Sequence, residues 1–323
     1  MSQGSAAPAR RPTPGTSWRE TCIKHLRTID LGKRKKSVNV RIARVAVQFF
    51  EIWRTLMQTT SVLSSYENAA QQPSAEALAR IEGWRITLAS QRHALARLAV
   101  RMATGQGYIL ACMNLDHLVK LRTDGGLCSV YRHPKTEIMA DGAPVAALAR
   151  WQGAAIERST GPDLMIPLCR DAARNGWPVF MFGTRLNVLE AGAIRLRAAC
   201  PGLDIRGIEA PPFGYDPKSE AADAAADRMA ASGARIILLG LGSPKQEIFA
   251  ERAINRHPQL GFVCIGAALD FLTGEQVRAP ALMRNWVLEW AWRLASSPRR
   301  LGVRYLKCAL LLADVVLRRR SAA

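Results

Sequence analysis

The sequence lacks several patterns that define whole classes of protein. No stretch reaches the roughly 20 consecutive apolar residues that a membrane-spanning helix needs, and we expect no signal peptide because the first residues carry no apolar segment. The seven cysteines are scattered without the paired spacing of a zinc site, and their odd number argues against a disulfide scaffold. We therefore expect a globular protein of a reducing compartment, the cytoplasm.

The familiar motifs for nucleotides and metals are also incomplete. Gly240 and Gly242 lack the third glycine of the dinucleotide-binding fingerprint, and Lys245 does not stand in the order that a P-loop requires. The sequence contains no Asp-x-Asp pair, which many nucleotide-sugar enzymes use to hold a metal-bound diphosphate. We expect neither a metal ion nor a cofactor.

Acidic residues are scarce, since 26 Asp and Glu stand against 45 Lys and Arg, giving a formal net charge of +19. Such an excess favours an anionic partner, namely nucleic acid, an acidic membrane surface or a polyphosphate substrate. The basic residues cluster towards the two ends of the chain, and no recognised nucleic-acid motif is present. We therefore favour an anionic membrane surface or a phosphate-bearing substrate and expect no nucleic-acid partner.

The chain is organised around residues 235–247, which read as a buried strand, a glycine turn and a new helix. The glycines of the turn permit backbone conformations that a Cβ would block. We expect Ser243 to cap the helix and Pro244 to occupy its first position. The amide groups of such a turn can bind phosphate at the carboxyl end of a sheet, with Gln246 and Glu247 beside the ligand.

Strands and helices alternate through residues 77–277, which we take as the central domain. The predicted strands are 108–112, 137–140, 179–182, 203–208, 235–239 and 261–265. The predicted helices are 90–103, 115–121, 143–151, 186–199, 219–231 and 246–255. This alternation predicts an α/β fold with a Rossmann-like, mostly parallel sheet and helices on both faces.

Polar residues that follow the strands are the candidates for chemistry. In a parallel sheet the strand carboxyl ends share one edge, so we expect Asn114, Asp141, Gln246 and Asp270 to converge. A carboxylate at a strand end, such as Asp141, suits general-base work. The Asp141-Gly142 pair also fits a simple turn, which composition alone favours.

The two ends of the chain differ from the central domain. The composition of residues 1–37 predicts a disordered basic arm or a plain solvated tail. The apolar spacing of residues 38–63 predicts an amphipathic helix. Together we take residues 1–76 as an N-terminal helical extension. Residues 278–323 carry three tryptophans and many cations. They predict a C-terminal basic helical appendage at the bilayer interface, or alternatively a helix packed on the core with its cations in water.

Eight short motifs occur together in a characteristic order. They are ADG (140–142), RSTGPDL (158–164), FGY (213–215), GLGSPKQE (240–247), GAALDF (266–271), RAP (278–280), LEWAWRL (288–294) and PRR (298–300). With them the chain from about residue 80 to residue 305 resembles the WecG/TagA/CpsF family of bacterial glycosyltransferases. Cys112 stands where that family usually has threonine, and Pro144 where it often has glycine.

The resemblance implies an inverting, metal-independent transfer of a sugar from a UDP-sugar to a polyprenyl-diphosphate-linked sugar, in exopolysaccharide or wall-polymer synthesis. It implies Asp141 as the general base and a peripheral location on the inner face of the bacterial plasma membrane. The expected substrate-binding residues, which include one glycine of the turn, are Asn114, Arg158, Tyr215, Gly242, Gln246, Asp270, Arg293 and Arg300. The last two, with Arg304, would close the site against the membrane.

Other functions stay open from the sequence. One is a nucleotide-sugar-binding module without turnover, and a less favoured one is a basic nucleic-acid-binding protein. For a transferase, the donor sugar is open among N-acetylmannosamine, its uronic acid and glucose. The acceptor sugar is equally open. The oligomeric state is open as well, with a homo-oligomer as one alternative.

Overall fold

The structure is a computed structural model that describes residues 77–276 and 298–320, with side chains in the last segment from 301 to 318. The predicted basic arm and the predicted helix 38–63 lie outside the described residues. So do the three tryptophans at 286, 290 and 292, and Arg293.

The described strands form one large sheet and one small hairpin. In chain order they are β1 (Ala79–Ile81), β2 (Trp84–Ile86), β3 (Tyr108–Met113), β4 (Thr136–Ala140), β5 (Val179–Gly183), β6 (Ile205–Glu209), β7 (Ile236–Gly240) and β8 (Gly261–Cys264). The large sheet has the order β4-β3-β8-β7-β5-β6, and every neighbouring pair is parallel. This confirms the predicted Rossmann-like α/β class.

Helices cover the sheet in two packed groups. In chain order the described helices are α1 (Gln91–Ala103), α2 (Leu115–Leu121), α3 (Gly125–Arg132), α4 (Ala143–Trp151), α5 (Gly161–Asn175), α6 (Leu186–Ala199), α7 (Glu220–Ala231), α8 (Lys245–Arg256), α9 (Ala268–Thr273) and α10 (Pro298–Arg320). Helices α1, α5, α6 and α9 pack together, while α2, α3, α7 and α8 form the second group, with α10 against α2. The sheet is therefore buried between helices, which explains why β7 is apolar along its length.

The predicted elements of the central domain are all present, with ends that agree within two residues. The hairpin β1–β2 and the helices α3, α5 and α9 were not predicted. Strands of three residues are too short to show a periodicity. Helix α5 was hidden by Pro167 in its interior, because proline inside a run usually ends a helix.

Helix α10 packs on α2 with one face and exposes an apolar stripe on the other. Arg304 Nη2 lies 3.0 Å from Asp116 Oδ2, and Arg122 Nη2 lies 2.8 Å from Asp314 Oδ2. The apolar side chains that stay exposed are Val303, Leu306, Leu310 and Leu317. Among the described residues no helix is both long and apolar enough to cross a bilayer.

A buried carboxylate joins α1 to the sheet. Glu137 on β4 accepts hydrogen bonds from Arg101 Nε at 2.9 Å, from Arg97 Nε at 3.2 Å and from Thr87 Oγ1 at 3.0 Å. Burial by itself raises the pKa of the Glu137 carboxyl, but the two guanidinium groups and the hydroxyl outweigh it, so the pKa lies below its ordinary value. The ionised group therefore stabilises the fold at neutral pH.

Glu137→Gln should lower the free energy of unfolding by about 2–3 kcal/mol at pH 7, because two partly buried guanidinium groups lose their counter-charge. A depressed pKa stabilises the fold above the unfolded-state pKa, and this stabilisation is lost as the pH falls through the folded-state pKa. The gap between wild type and variant should therefore shrink below about pH 4. Urea unfolding across pH 3–8 measures this, and a gap independent of pH would contradict it.

Candidate functional site

Asn114 and Asp141 meet at the carboxyl edge of the sheet because of the strand register. Met113, the last residue of β3, is paired with Ala140, the last residue of β4. The Asp141 N–H donates to Met113 O at 2.7 Å, and Asn114 Nδ2 donates to Asp141 Oδ2 at 3.2 Å. The candidate base thus lies beside the candidate amide, as the sequence predicted.

Asn114 also begins helix α2. Its Oδ1 accepts the N–H groups of Asp116 at 3.0 Å and His117 at 3.2 Å, as an N-cap side chain does. The carboxamide thus serves two elements, with its oxygen on the helix and its nitrogen on Asp141. This arrangement fixes the side chain that holds the carboxylate.

The glycine turn lies at the end of the central strand β7. Gly183 at the end of β5 has φ +120°, and a Cβ there would lie 2.5 Å from Gly240 C. Gly242 has φ +76°, which favours glycine. These glycines let two strand ends and the turn approach each other closely.

The start of α8 differs from the prediction by one residue. We expected Ser243 as the cap and Pro244 as the first helical residue, but the helix begins at Lys245 and Pro244 holds the cap position without a side-chain hydrogen bond. The Ser243–Pro244 peptide bond is cis. Lysines brace the turn instead, since Lys120 Nζ donates to Ser243 O at 2.9 Å and Lys245 Nζ to Tyr215 O at 2.8 Å.

Gln246 and Glu247 point into the protein. Gln246 Oε1 accepts the Gly266 N–H at 3.1 Å, and its Nε2 donates to Glu247 Oε1 at 2.8 Å. Glu247 is 0% exposed, so the expectation that it lies beside a ligand is wrong. Gln246, buried as well, links the turn after β7 to the turn after β8.

Glu247 pairs with a histidine that the sequence did not single out. His117 Nε2 lies 3.3 Å from Glu247 Oε1, and His117 Nδ1 lies 2.8 Å from Asn114 Oδ1. Burial alone raises the pKa of Glu247, but the bonds from His117 and Gln246 outweigh it and lower the pKa. A continuous hydrogen-bonded chain therefore runs from Asp141 to the turn after β8.

Asp270 lies on the other part of this edge, towards β5. Thr184 Oγ1 donates to Asp270 Oδ1 at 3.4 Å, and Thr184 N–H donates to Gly240 O at 3.1 Å. Burial raises the pKa of the half-buried Asp270 carboxyl. Thr184 has φ +31°, which is strained for a β-branched residue and typical of functional sites.

Two further candidates occupy different surroundings. Arg158 is partly exposed and stands next to Ser159, whose N–H donates to Ala140 O at 3.1 Å, so it lies near the end of β4. The Tyr215 ring is 8% exposed and packs against Phe182 and Phe249. Its ring belongs to the core below the loop that follows β6.

The C-terminal arginines enter the described structure only in part. Arg293 and the side chain of Arg300 lie outside it. Arg304 is ion-paired with Asp116, two residues after Asn114. Within residues 77–276 and 301–318 there is no group of three or more His, Cys, Asp or Glu that could hold a metal ion.

The sequence left His117, Thr184 and Lys120 unassigned. A signal existed for His117, because Asn114 and His117 have the spacing of a helix cap and its third residue. No sequence signal marks Thr184, since its strained backbone is imposed by the close approach of β5 and β7. Lys120 fits the polar face of α2 in sequence, and only the folded chain brings it to the glycine turn at Ser243.

Gly183→Ala should lower the free energy of unfolding by roughly 2–4 kcal/mol, because the new Cβ combines a positive φ with a backbone clash. Gly202→Ala is the matched control: φ is +84° there, but no atom lies within 4 Å of the added Cβ. It should cost only about 1 kcal/mol. Chemical denaturation measures the free energy of unfolding of both variants, and an equal loss in the two would contradict the close approach of Gly183 to Gly240.

A comparison with protein families bears on this whole site. The model of the Glycosyl transferase WecG/TagA/CpsF family matches residues 79–323, which is more than half of the chain. The match contains all six strands of the parallel sheet, the Asn114–Asp141 contact and the glycine turn. The chain therefore belongs to the WecG/TagA/CpsF family of glycosyl transferases, which implies transfer from nucleotide sugars in polymer synthesis.

Proposed function

We propose that this protein transfers a sugar from a UDP-sugar to a polyprenyl-diphosphate-linked sugar, with inversion, in bacterial exopolysaccharide or wall-polymer synthesis. The observation that carries the proposal is the hydrogen bond between Asn114 and Asp141 at the carboxyl edge of the sheet, in a chain of this transferase family. The donor is a UDP-sugar such as that of N-acetylmannosamine, its uronic acid or glucose.

In the proposed reaction Asp141 is the general base. The acceptor hydroxyl attacks the anomeric carbon of the donor, and its proton passes to the Asp141 carboxylate as the new C–O bond forms. The bond from the anomeric carbon to the diphosphate breaks, and UDP leaves with the bonding electrons. Asn114 Nδ2 holds one carboxylate oxygen at 3.2 Å and so orients the base.

The negative charge that develops on UDP needs a positive environment. The proposal assigns this role to the glycine turn, the N-terminus of α8 and the arginines 158, 293 and 300, with no metal ion. Helix α8 has 12 residues and begins directly after the turn, so its dipole favours an anion there. The net charge of +19 agrees with two diphosphate-bearing substrates.

The uridine is proposed to lie near Asp270 and the loop that ends at Tyr215. Asp270 is half-buried beside Thr184, at the β5 side of the edge. A carboxyl group in this position can hydrogen-bond a base or a ribose hydroxyl. This places the nucleotide and the base Asp141 on opposite sides of the glycine turn, with the sugar between them.

The acceptor is carried by lipid, and helix α10 is proposed as the membrane contact. Its exposed stripe of Val303, Leu306, Leu310 and Leu317 faces away from the side chains that pack on the domain. The exposed Lys307 and Arg318 lie on the same helix, and a basic helix with an apolar stripe binds an anionic bilayer surface without crossing it. The protein would then work peripherally on the inner face of the bacterial plasma membrane.

Asp141→Asn should reduce turnover by about 10²- to 10⁴-fold, because the amide cannot accept the acceptor's proton. The assay measures UDP release from UDP-sugars in the presence of a short-chain polyprenyl-diphosphate sugar, with mass spectrometry of the product. UDP binding, followed by calorimetry, should stay within about twofold because the fold is unchanged.

Asp204→Asn is the matched control for this substitution. Asp204 is exposed and precedes β6 at the opposite edge of the sheet. The turnover of the Asp204→Asn variant should therefore equal that of the wild type. Near-normal turnover of Asp141→Asn would remove Asp141 as the base. UDP binding without transfer to any lipid-linked sugar would instead favour a binding module.

Leu306→Asp with Leu310→Asp should weaken binding to vesicles that contain phosphatidylglycerol by at least about tenfold, because two apolar side chains of the stripe are replaced by anions. Vesicle co-sedimentation at two salt concentrations measures this. Val100→Asp is the control, since Val100 is equally exposed on α1, away from α10. Unchanged binding of the double variant would exclude α10 as the contact.

A further inference from the structure

We propose that His117 and Glu247 are positioning residues for the base Asp141, acting through Asn114. The inference rests on the proposed function and deepens it. His117 is 5% exposed and Glu247 is 0% exposed, so neither side chain can act by touching the substrate. Their effect has to pass through the hydrogen bonds that they make.

The first step concerns the orientation of the Asn114 carboxamide. Its oxygen is held by two backbone N–H groups of α2, those of Asp116 and His117, and the His117 ring lies 2.8 Å from it. The oxygen and nitrogen of an amide occupy opposite branches, so fixing the oxygen also fixes the NH₂ group. That NH₂ group is directed at Asp141 Oδ2.

The second step concerns the His117 ring. Its Nδ1 accepts the Asn114 backbone N–H at 3.3 Å, which completes the capping box of α2. The same nitrogen lies 2.8 Å from Asn114 Oδ1. On the other side of the ring, His117 Nε2 lies 3.3 Å from Glu247 Oε1. The ring is therefore held at both nitrogens, one by Asn114 and the other by Glu247.

The third step is the anchor of the pair. Glu247 Oε1 also accepts from Gln246 Nε2 at 2.8 Å, and Gln246 in turn accepts from the Gly266 backbone at 3.1 Å. The chain of bonds thus begins at the end of β4 and ends on the turn after β8. Because both ends are fixed by the sheet, the pair holds Asn114 against the base instead of letting its carboxamide rotate.

Glu247→Leu should therefore reduce kcat by about 10- to 100-fold, since a loosened base loses its productive geometry. The KM for the UDP-sugar and the Kd for UDP should stay within about twofold. Glu247→Gln can still bond His117 Nε2, so it should restore kcat to within about threefold of the wild type. A kcat of Glu247→Leu equal to the wild type would overturn the proposal.

A coupling test separates positioning from general destabilisation. In an Asn114→Ala background, adding Glu247→Leu should cause no further loss of kcat, because the effect passes through Asn114. Fully multiplicative losses would contradict this route. Glu137→Gln is the control for losing a buried carboxylate, since its partners Arg97 and Arg101 lie away from Asn114, and it should keep the wild-type kcat.

A second variant guards against loss of folding. The double variant His117→Leu with Glu247→Leu removes the pair together and leaves no unpaired buried charge, which proteins usually tolerate. Its crystal structure should show Asn114 Nδ2 withdrawn from Asp141 Oδ2. Retention of the 3.2 Å contact would overturn the proposal, whatever the turnover.

The outcomes also separate this proposal from the proposed function. If Asp141→Asn is inactive while every Glu247 variant keeps its kcat, only the positioning role fails. If Asp141→Asn turns over normally, the base assignment fails, and the crystal structure of the pair variant still decides whether His117 and Glu247 hold Asn114.

Discussion

The parallel register of β3 and β4 is the constraint on which the site depends. It pairs Met113 with Ala140, so the residues that follow them, Asn114 and Asp141, leave the sheet side by side. A slip of one residue would turn one of the two side chains to the other face of the sheet. The same parallel arrangement places the glycine turn of β7 on the same edge, two strands from β3.

Buried polar contacts then connect this edge with the helices that cover it. Asn114 is at once the cap of α2 and the hydrogen-bond partner of Asp141. Helix α2 carries Asp116, which pairs with Arg304 of α10. The helix proposed to lie on the membrane is thus ion-paired to the helix that begins at the proposed site. A lipid-linked acceptor would meet both within one continuous part of the molecule.

Local patterns predicted the elements well where one principle dominated. Apolar runs gave the strands, and the glycines and the strand–helix alternation gave the edge on which polar residues meet. Predictions failed where tertiary contacts decided. Ser243 was expected to cap α8, yet Pro244 holds that position, and Glu247 was expected near a ligand, yet it is buried against His117. A first-turn carboxylate looks the same in sequence whether it faces solvent or a buried imidazole.

The sequence by itself determined the α/β class and the family, and it predicted that Asn114 and Asp141 lie at the same edge of the sheet, because these follow from periodicity and ordered motifs along the chain. Only the tertiary structure decided that His117 and Glu247 form a buried pair, that Tyr215 packs its ring in the core and that Thr184 is strained beside Asp270. These features join residues 33 to 130 positions apart, and no local pattern records which side chains the fold brings into contact.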